Sequence, residues 1–230
     1  MSAAGRPGAT GASTSKLVIF DCDGVLVDSE AISNGVLADM LAEQGLSMSL
    51  AEARARFQGL LLSQVLERAE RMLGRPLPPG WPDEYVERRA AVFAAELRPV
   101  EGAPELVRDV AAAGIAVCVA SQGSLAKTNR SLALTGLEEL FAPGARFSAE
   151  QVPRGKPHPD LFLHAAASMG HEPRRCAVVE DTPSGVAAAR SAGMTVYGLA
   201  ADSDERALRE AGAIVVGALA ELRAPLLRSP

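Results

Sequence analysis

The sequence is poor in aromatic residues, which make up 4% of its 230 positions, with a single tryptophan and two tyrosines. Its apolar mass is mainly Ala, Leu and Val. That composition favours helices packed closely on small side chains over an aromatic-rich all-β sandwich. Cysteine is also scarce. Cys22, Cys118 and Cys176 form no CxxC pair, and each lies in or beside an apolar run. They read as buried thiols in a reducing cytosol rather than as a disulfide framework. No His/Cys cluster has zinc spacing. No stretch approaches the roughly 18 uninterrupted apolar residues of a membrane-spanning helix. Positive charge is not in excess, with 23 Lys and Arg against 28 Asp and Glu, for a net charge of −5. A nucleic-acid binder, which needs a basic stripe, is disfavoured. A small anionic substrate is compatible with an acidic protein whose pocket is locally positive.

What is present is ordinary globular composition, 48% hydrophobic and 22% charged. The length suits one large domain or two small ones. Met1–Ser15 is rich in Ala, Gly, Ser and Thr and lacks the apolar segment of a secretory signal, so a disordered tail and a cytoplasmic location are expected. Five apolar runs read as buried parallel strands: Leu17–Phe20, Ile115–Ala120, Cys176–Val179, Thr195–Leu199 and Ile214–Val216. Helical patterns such as Pro104–Ala113 and Pro183–Ala192 lie between them, each with proline near its start and glycine at its stop. Strand–helix alternation predicts an α/β fold with a doubly wound parallel sheet. Residues 29–97 break the alternation. There Ser29–Gln44, Leu50–Phe57, Leu62–Leu73 and Asp83–Leu97 look helical, which predicts a helical insert between two parts of an α/β core, 16–28 and 98–230.

The strongest local signal is Asp21-Cys22-Asp23-Gly24, placed directly after the apolar run Leu17–Phe20. In an extended segment, positions i and i+2 share a face, so Asp21 and Asp23 point together at the carboxyl edge of the sheet while Cys22 faces away. That edge is where open α/β sheets bind ligands. Gly24 permits a sharp turn and close approach to a ligand. Alone, the tetrapeptide equally suits an Asp-Gly turn closing a strand. Ser121 ends the second apolar run, with the backbone N–H groups of Gln122 and Gly123 beside it. It suits a phosphoryl contact or a simple cap for a helix starting near Leu125. Lys156 sits in Arg154-Gly155-Lys156-Pro157-His158-Pro159, a loop stiffened by proline, and His158 reads as part of that loop's structure. A cation about 4 Å from a carboxylate in a partly shielded site is worth about 4 kcal/mol. Glu180 and Asp181 follow Val178-Val179 and precede a helix, whose positive end alone favours acids there.

Taken in order, Asp21–Asp23, Ser121, Lys156 and Glu180–Asp181 make the chain resemble the haloacid dehalogenase-like hydrolase superfamily, in its branch of phosphatases with a helical cap after the first motif. The resemblance runs from Lys16 to about Leu222. It implies that Asp21 is a nucleophile forming an aspartyl-phosphate, and that Asp23 protonates the leaving group and then activates water. Held on a metal, Asp21 would remain ionised, while Asp23, off the metal through its side chain and near other acids, would have a raised pKa. Ser121 would contact the phosphoryl group and Lys156 would bridge it to the nucleophile. Mg²⁺ would lie on Asp21, the Asp23 carbonyl, Asp181 and Glu180, in the oxygen-rich surroundings that this ion prefers. Gly24 and Gln122 would line the substrate site, with Arg54, Gln58 and Gly59 near a specificity loop of the cap.

The second aspartate argues for phosphoester chemistry, since dehalogenases of the superfamily typically lack it and transport ATPases carry Thr there. β-Phosphoglucomutase is the nearest rival, but it has His at the place of Ser33 and Arg at the place of Leu62. A capped site favours a small phosphorylated metabolite, with sugar or sugar-acid phosphates the first expectation. Neither a nucleic acid nor a membrane is expected as partner, and a monomer is expected. A non-catalytic phosphate-binding protein on the same fold is the alternative from a different class.

Overall fold

The computed structural model describes residues 16–227 apart from 59, 61 and 202. Six parallel strands form one sheet: β1 (Leu17–Phe20), β2 (Ala116–Ser121), β3 (Arg146–Ser148), β4 (Cys176–Glu180), β5 (Thr195–Leu199) and β6 (Ile214–Val216). Their spatial order is β3-β2-β1-β4-β5-β6, the doubly wound parallel α/β arrangement expected. The β3 strand has no counterpart among the expected strands. Its three residues include one apolar side chain, Phe147, too little to show alternation.

The sheet separates two apolar layers because strand side chains alternate. Val18, Phe20 and Cys22 pack on one face with Leu106, Val107 and Val110 of α5 (Ala103–Ala112). Leu17 and Ile19 pack on the other face with Leu161, Phe162, Ala165 and Ala166 of α7 (Asp160–Ser168), and with Val186, Ala188 and Ala189 of α8 (Pro183–Ser191). The helices α6 (Leu125–Leu134), α9 (Glu205–Glu210) and α10 (Arg223–Leu227) complete the cover. All three cysteines are buried free thiols. Burial pushes each of them up, Cys176 to about 11, so they stay protonated near neutrality.

Between β1 and α5 the chain forms four helices: α1 (Glu30–Glu43), α2 (Leu50–Phe57), α3 (Leu62–Leu73) and α4 (Trp81–Glu96). They enclose a cluster of their own from Leu37, Met40, Leu41, Phe57, Val65, Ala69, Trp81 and Tyr85. The Trp81 and Tyr85 rings stack with centroids 5.8 Å apart. The far end of α4 behaves differently, sending Phe93 and Leu97 into the layer beneath the sheet. The two chain passages joining the helices to the sheet run side by side. Asp28 N–H donates to the Arg98 carbonyl at 3.0 Å, and Val100 N–H donates to the Leu26 carbonyl at 3.0 Å. Among the described residues no helix is long and apolar enough to cross a membrane.

Candidate active site

Strand order places the site. The chain runs outward from β1 to β2 and β3, then returns to the other side of β1 as β4. Such a reversal opens a crevice beyond the carboxyl ends of the two central strands. Phe20 pairs with Val179, so Asp21 emerges level with Glu180, and Asp21 N–H donates to the Val179 carbonyl at 2.9 Å. Ser121 ends β2 on the other flank. Asp21, Ser121, Glu180 and Asp181 are all buried although polar.

Lys156 reaches this edge from the loop before α7. Its Nζ donates to Asp21 Oδ1 at 2.5 Å and to Glu180 Oε1 at 2.6 Å, with its side chain only 3% exposed. The ammonium also lies 5.1 Å from the centre of the Phe162 ring. Burial would lower the lysine's pKa, but Asp21 and Glu180 outweigh it and hold it above its ordinary value. The backbone of this loop is held by Gln122, whose Oε1 accepts from Lys156 N–H at 2.9 Å. A side chain at Gly155 would overlap the Gln122 amide. The Gln122 side-chain oxygen thus helps to position Lys156. His158 is exposed in the same loop, its N–H donating to the Gly155 carbonyl at 3.0 Å.

The structure corrects or sharpens three expectations. The first concerns Asp23. Burial pushes its carboxyl up, but Lys127 and Ser29 more than cancel this, and its pKa lies below the ordinary value rather than above it. Lys127 Nζ donates to Asp23 Oδ2 at 2.8 Å and Ser29 Oγ donates to Oδ1 at 2.5 Å. The second concerns Glu180. Its Oε1 takes Lys156, while Oε2 accepts from Asp181 N–H, Thr182 N–H and Thr182 Oγ at 2.8–2.9 Å. This carboxylate braces Lys156 and the 181–182 turn, with Oε2 fully occupied by protein donors. The third concerns Ser121. The cap of α6 is Ser124, whose Oγ accepts from Lys127 N–H. Ser121 Oγ instead accepts from Gly123 N–H at 3.0 Å.

Asp181 is the opposite of Glu180. Its Oδ1 is buried with no hydrogen-bond partner. Burial first, then Glu180 and Asp21, push its pKa well up. Gly24, at φ +80°, lies so close to this carboxylate that a side chain there would overlap it. Asp21 is likewise raised by burial, to about 7, with Lys156 pulling against the acids around it. Among the described residues no three His, Cys, Asp or Glu side chains converge as a ready-made metal cluster. The oxygens at this edge nevertheless suit Mg²⁺, which prefers few protein ligands and keeps several waters. An unpartnered buried carboxylate oxygen beside a second acid is the feature that fits a cation.

A cleft of about 350 Å³ opens beside these acids, lined by Gly24, Glu30, Gln58, Asp181, Leu199 and Ser203 among others. Gln58 ends α2 and its Nε2 donates to Ser203 Oγ at 3.4 Å, so the helical insert meets the sheet at the cleft. Arg54, one turn earlier, is close enough to Glu30 to lower its pKa, although burial and Asp23 raise it overall. Gly59 lies outside the described residues. Ser33 contributes its carbonyl, which accepts from the Tyr85 hydroxyl at 3.3 Å, and Leu62 opens α3. Sequence reasoning missed Lys127 and Glu30. Lys127 is 104 positions from its partner, and no local pattern marks it.

A family model for haloacid dehalogenase-like hydrolases matches residues 15–193. The chain is 33% identical over 186 residues to 6-phosphogluconate phosphatase of Escherichia coli (strain K12), covering 80% of this chain and 82% of that protein. It is 32% identical over 182 residues to hexitol phosphatase B of the same strain, covering 76% and 79%. The structure superposes on a HAD family hydrolase from Deinococcus radiodurans R1, solved with bound phosphate and sodium. The TM-score is 0.80 at 36% identity, over 94% of this chain and 98% of that one.

Proposed function

The chain belongs to the haloacid dehalogenase-like hydrolase family, and from that premise we propose a Mg²⁺-dependent phosphatase of small phosphorylated metabolites. Sugar or sugar-acid phosphates are the favoured substrates. The substrates named for the two Escherichia coli relatives support that class. The observation that carries the reading is the Lys156 ammonium shared between Asp21 and Glu180 at a buried strand edge. It holds a carboxylate nucleophile in place and offsets the repulsion an incoming phosphate would meet there.

In this reading Asp21 attacks phosphorus and forms an aspartyl-phosphate, which divides one difficult displacement into two easier ones. Lys127 and Ser29 hold Asp23 ionised in the free protein, so in this reading it takes up the proton that a phosphate monoester brings in, passes it to the departing oxygen and then takes one from the hydrolytic water. Ser121 and the Gln122 backbone N–H contact the phosphoryl oxygens, with the Gly123 N–H holding the Ser121 hydroxyl. Asp21, Asp181 and the Asp23 carbonyl would hold Mg²⁺, which when bound supplies positive charge to the phosphoryl group. The helices α1–α4 serve as a cap. Arg54, Gln58 and Gly59 are assigned to the leaving group by the resemblance, and closure of the cap over the site would exclude water.

Phosphate release from a panel of sugar, sugar-acid and polyol phosphates, with Mg²⁺ present, tests this reading. Turnover that EDTA abolishes is expected. Phosphorus NMR with β-glucose 1-phosphate separates hydrolysis from isomerisation. Efficient formation of glucose 6-phosphate without free phosphate would replace the phosphatase by a mutase.

A further inference from the structure

Building on the phosphatase reading, we propose that the cleft selects a neutral polyol or sugar phosphate over a sugar-acid phosphate, with Glu30 as the residue that makes the choice. The two substrate classes left open above differ at the far end of the leaving group. A polyol carries a hydroxyl there, which both donates and accepts hydrogen bonds. A sugar acid carries a carboxylate, which only accepts. The lining of the cleft therefore decides between them.

Glu30 is the first residue of α1 and lines the cleft together with Gly24 and Asp181. Asn34, one turn further on and only 3% exposed, fixes it in place. Asn34 Nδ2 donates to the Glu30 carbonyl at 2.8 Å and to Glu30 Oε2 at 3.1 Å. Both amide hydrogens of Asn34 are thus committed. Among the described residues Glu30 Oε1 has no donor. A carboxylate tethered by one oxygen, with the other open to a cleft, is an acceptor for a hydroxyl. Gln58 and Ser203, bonded to each other at 3.4 Å, add a neutral amide and a hydroxyl to the same lining.

The charges agree with the hydrogen bonding. Among the described residues, the ionisable side chains lining the cleft are Asp28, Glu30, Glu101 and Asp181, all of them acids. Bound Mg²⁺ would offset Asp181, but the other three are not among its proposed ligands. The nearby cations are committed elsewhere: Lys156 to Asp21 and Glu180, and Lys127 to Asp23. Arg54 is close to Glu30 but does not line the cleft. A second negative charge on the leaving group would meet repulsion here, whereas a hydroxyl would gain a charge-assisted bond.

Glucitol 6-phosphate and 6-phosphogluconate are matched six-carbon esters that differ only at C1, a CH₂OH group in one and a carboxylate in the other. The ratio of their kcat/KM values reads the preference of the cleft, because a general loss of fold or of phosphoryl chemistry cancels from it. With Mg²⁺ present, wild type should favour the glucitol ester by about tenfold or more, as a site built to bond a hydroxyl rejects a group that cannot donate. Glu30→Gln keeps the size, removes the charge and gives the cleft a donor. It should lower the ratio by about tenfold, the scale of a lost hydrogen bond to a charged group. If Glu30→Gln does not fold, Gln58→Lys places a cation in the same lining and should shift the ratio in the same direction. A wild-type ratio near one, or in favour of phosphogluconate, overturns the inference and leaves the phosphatase reading standing. So does a ratio that the substitution does not move, or phosphate release from other esters but not from the glucitol ester. Release from no phosphate ester at all overturns the phosphatase reading itself.

Discussion

Asp181 carries an uncompensated charge: buried, crowded by Glu180 and Asp21, and bonded at neither lone pair of Oδ1. An acid whose folded pKa exceeds its ordinary value destabilises the fold as it ionises. Stability then falls as pH climbs from about 4 through the raised value. In the metal-free protein, Asp181→Asn should therefore raise Tm, and by more at pH 8 than at pH 5. Added Mg²⁺ should raise the Tm of wild type and leave that of Asp181→Asn nearly unmoved. A Tm difference independent of pH and Mg²⁺ would contradict this. Asp21→Asn should release no phosphate above the blank, since a neutral amide is a poor nucleophile toward phosphorus. Asp23→Asn should lower turnover by about 10²–10⁴-fold, with Mg²⁺ still raising its Tm, because its backbone carbonyl is unchanged.

At the scale of elements, α4 performs two packing tasks. Trp81 and Tyr85 belong to the helical cluster, whereas Phe93 is buried against the sheet layer. Phe93→Ala should cost about 3–5 kcal/mol in urea unfolding, as for a large core side chain replaced by a small one. An effect below about 1 kcal/mol would mean that this end of α4 is not anchored. The buried strands of the sheet were legible because short β-branched runs bounded by glycine and acids suit a strand covered on both faces and little else. The β3 strand was not, because three residues at the sheet's rim carry no periodicity. The motif residues Asp21, Ser121, Lys156 and Asp181 were legible because each sits at a strand end or in a proline-stiffened loop. What escaped was long-range pairing. Nothing near Asp23 announces Lys127, and the ion pair reverses the pKa direction that burial alone suggested. Glu180 shows the same limit, since the donors that saturate it include a lysine from a separate loop.

For the molecule as a whole, the cleft between the insert and the sheet edge carries the prediction on metal. EDTA should abolish phosphate release without unfolding the chain, because both apolar layers and the helical cluster are built from side chains alone. Mg²⁺ should restore activity, and circular dichroism recorded through the cycle should stay constant. Loss of the helical signal on chelation would show that the ion is needed for the fold itself.

The two passages at Asp28 and Val100 bear on how such a molecule diversifies. Because they are neighbours joined through Leu26, Asp28, Arg98 and Val100, the backbone enters and leaves the segment from α1 to α4 through one narrow neck, with Phe93 and Leu97 as side-chain anchors on the sheet side. A graft of a helical unit whose ends lie one strand spacing apart and that keeps the Phe93 and Leu97 anchors should leave the β-pairing register intact. On the proposed phosphatase reading, the part that senses substrate can be exchanged while the edge that handles the phosphoryl group is kept.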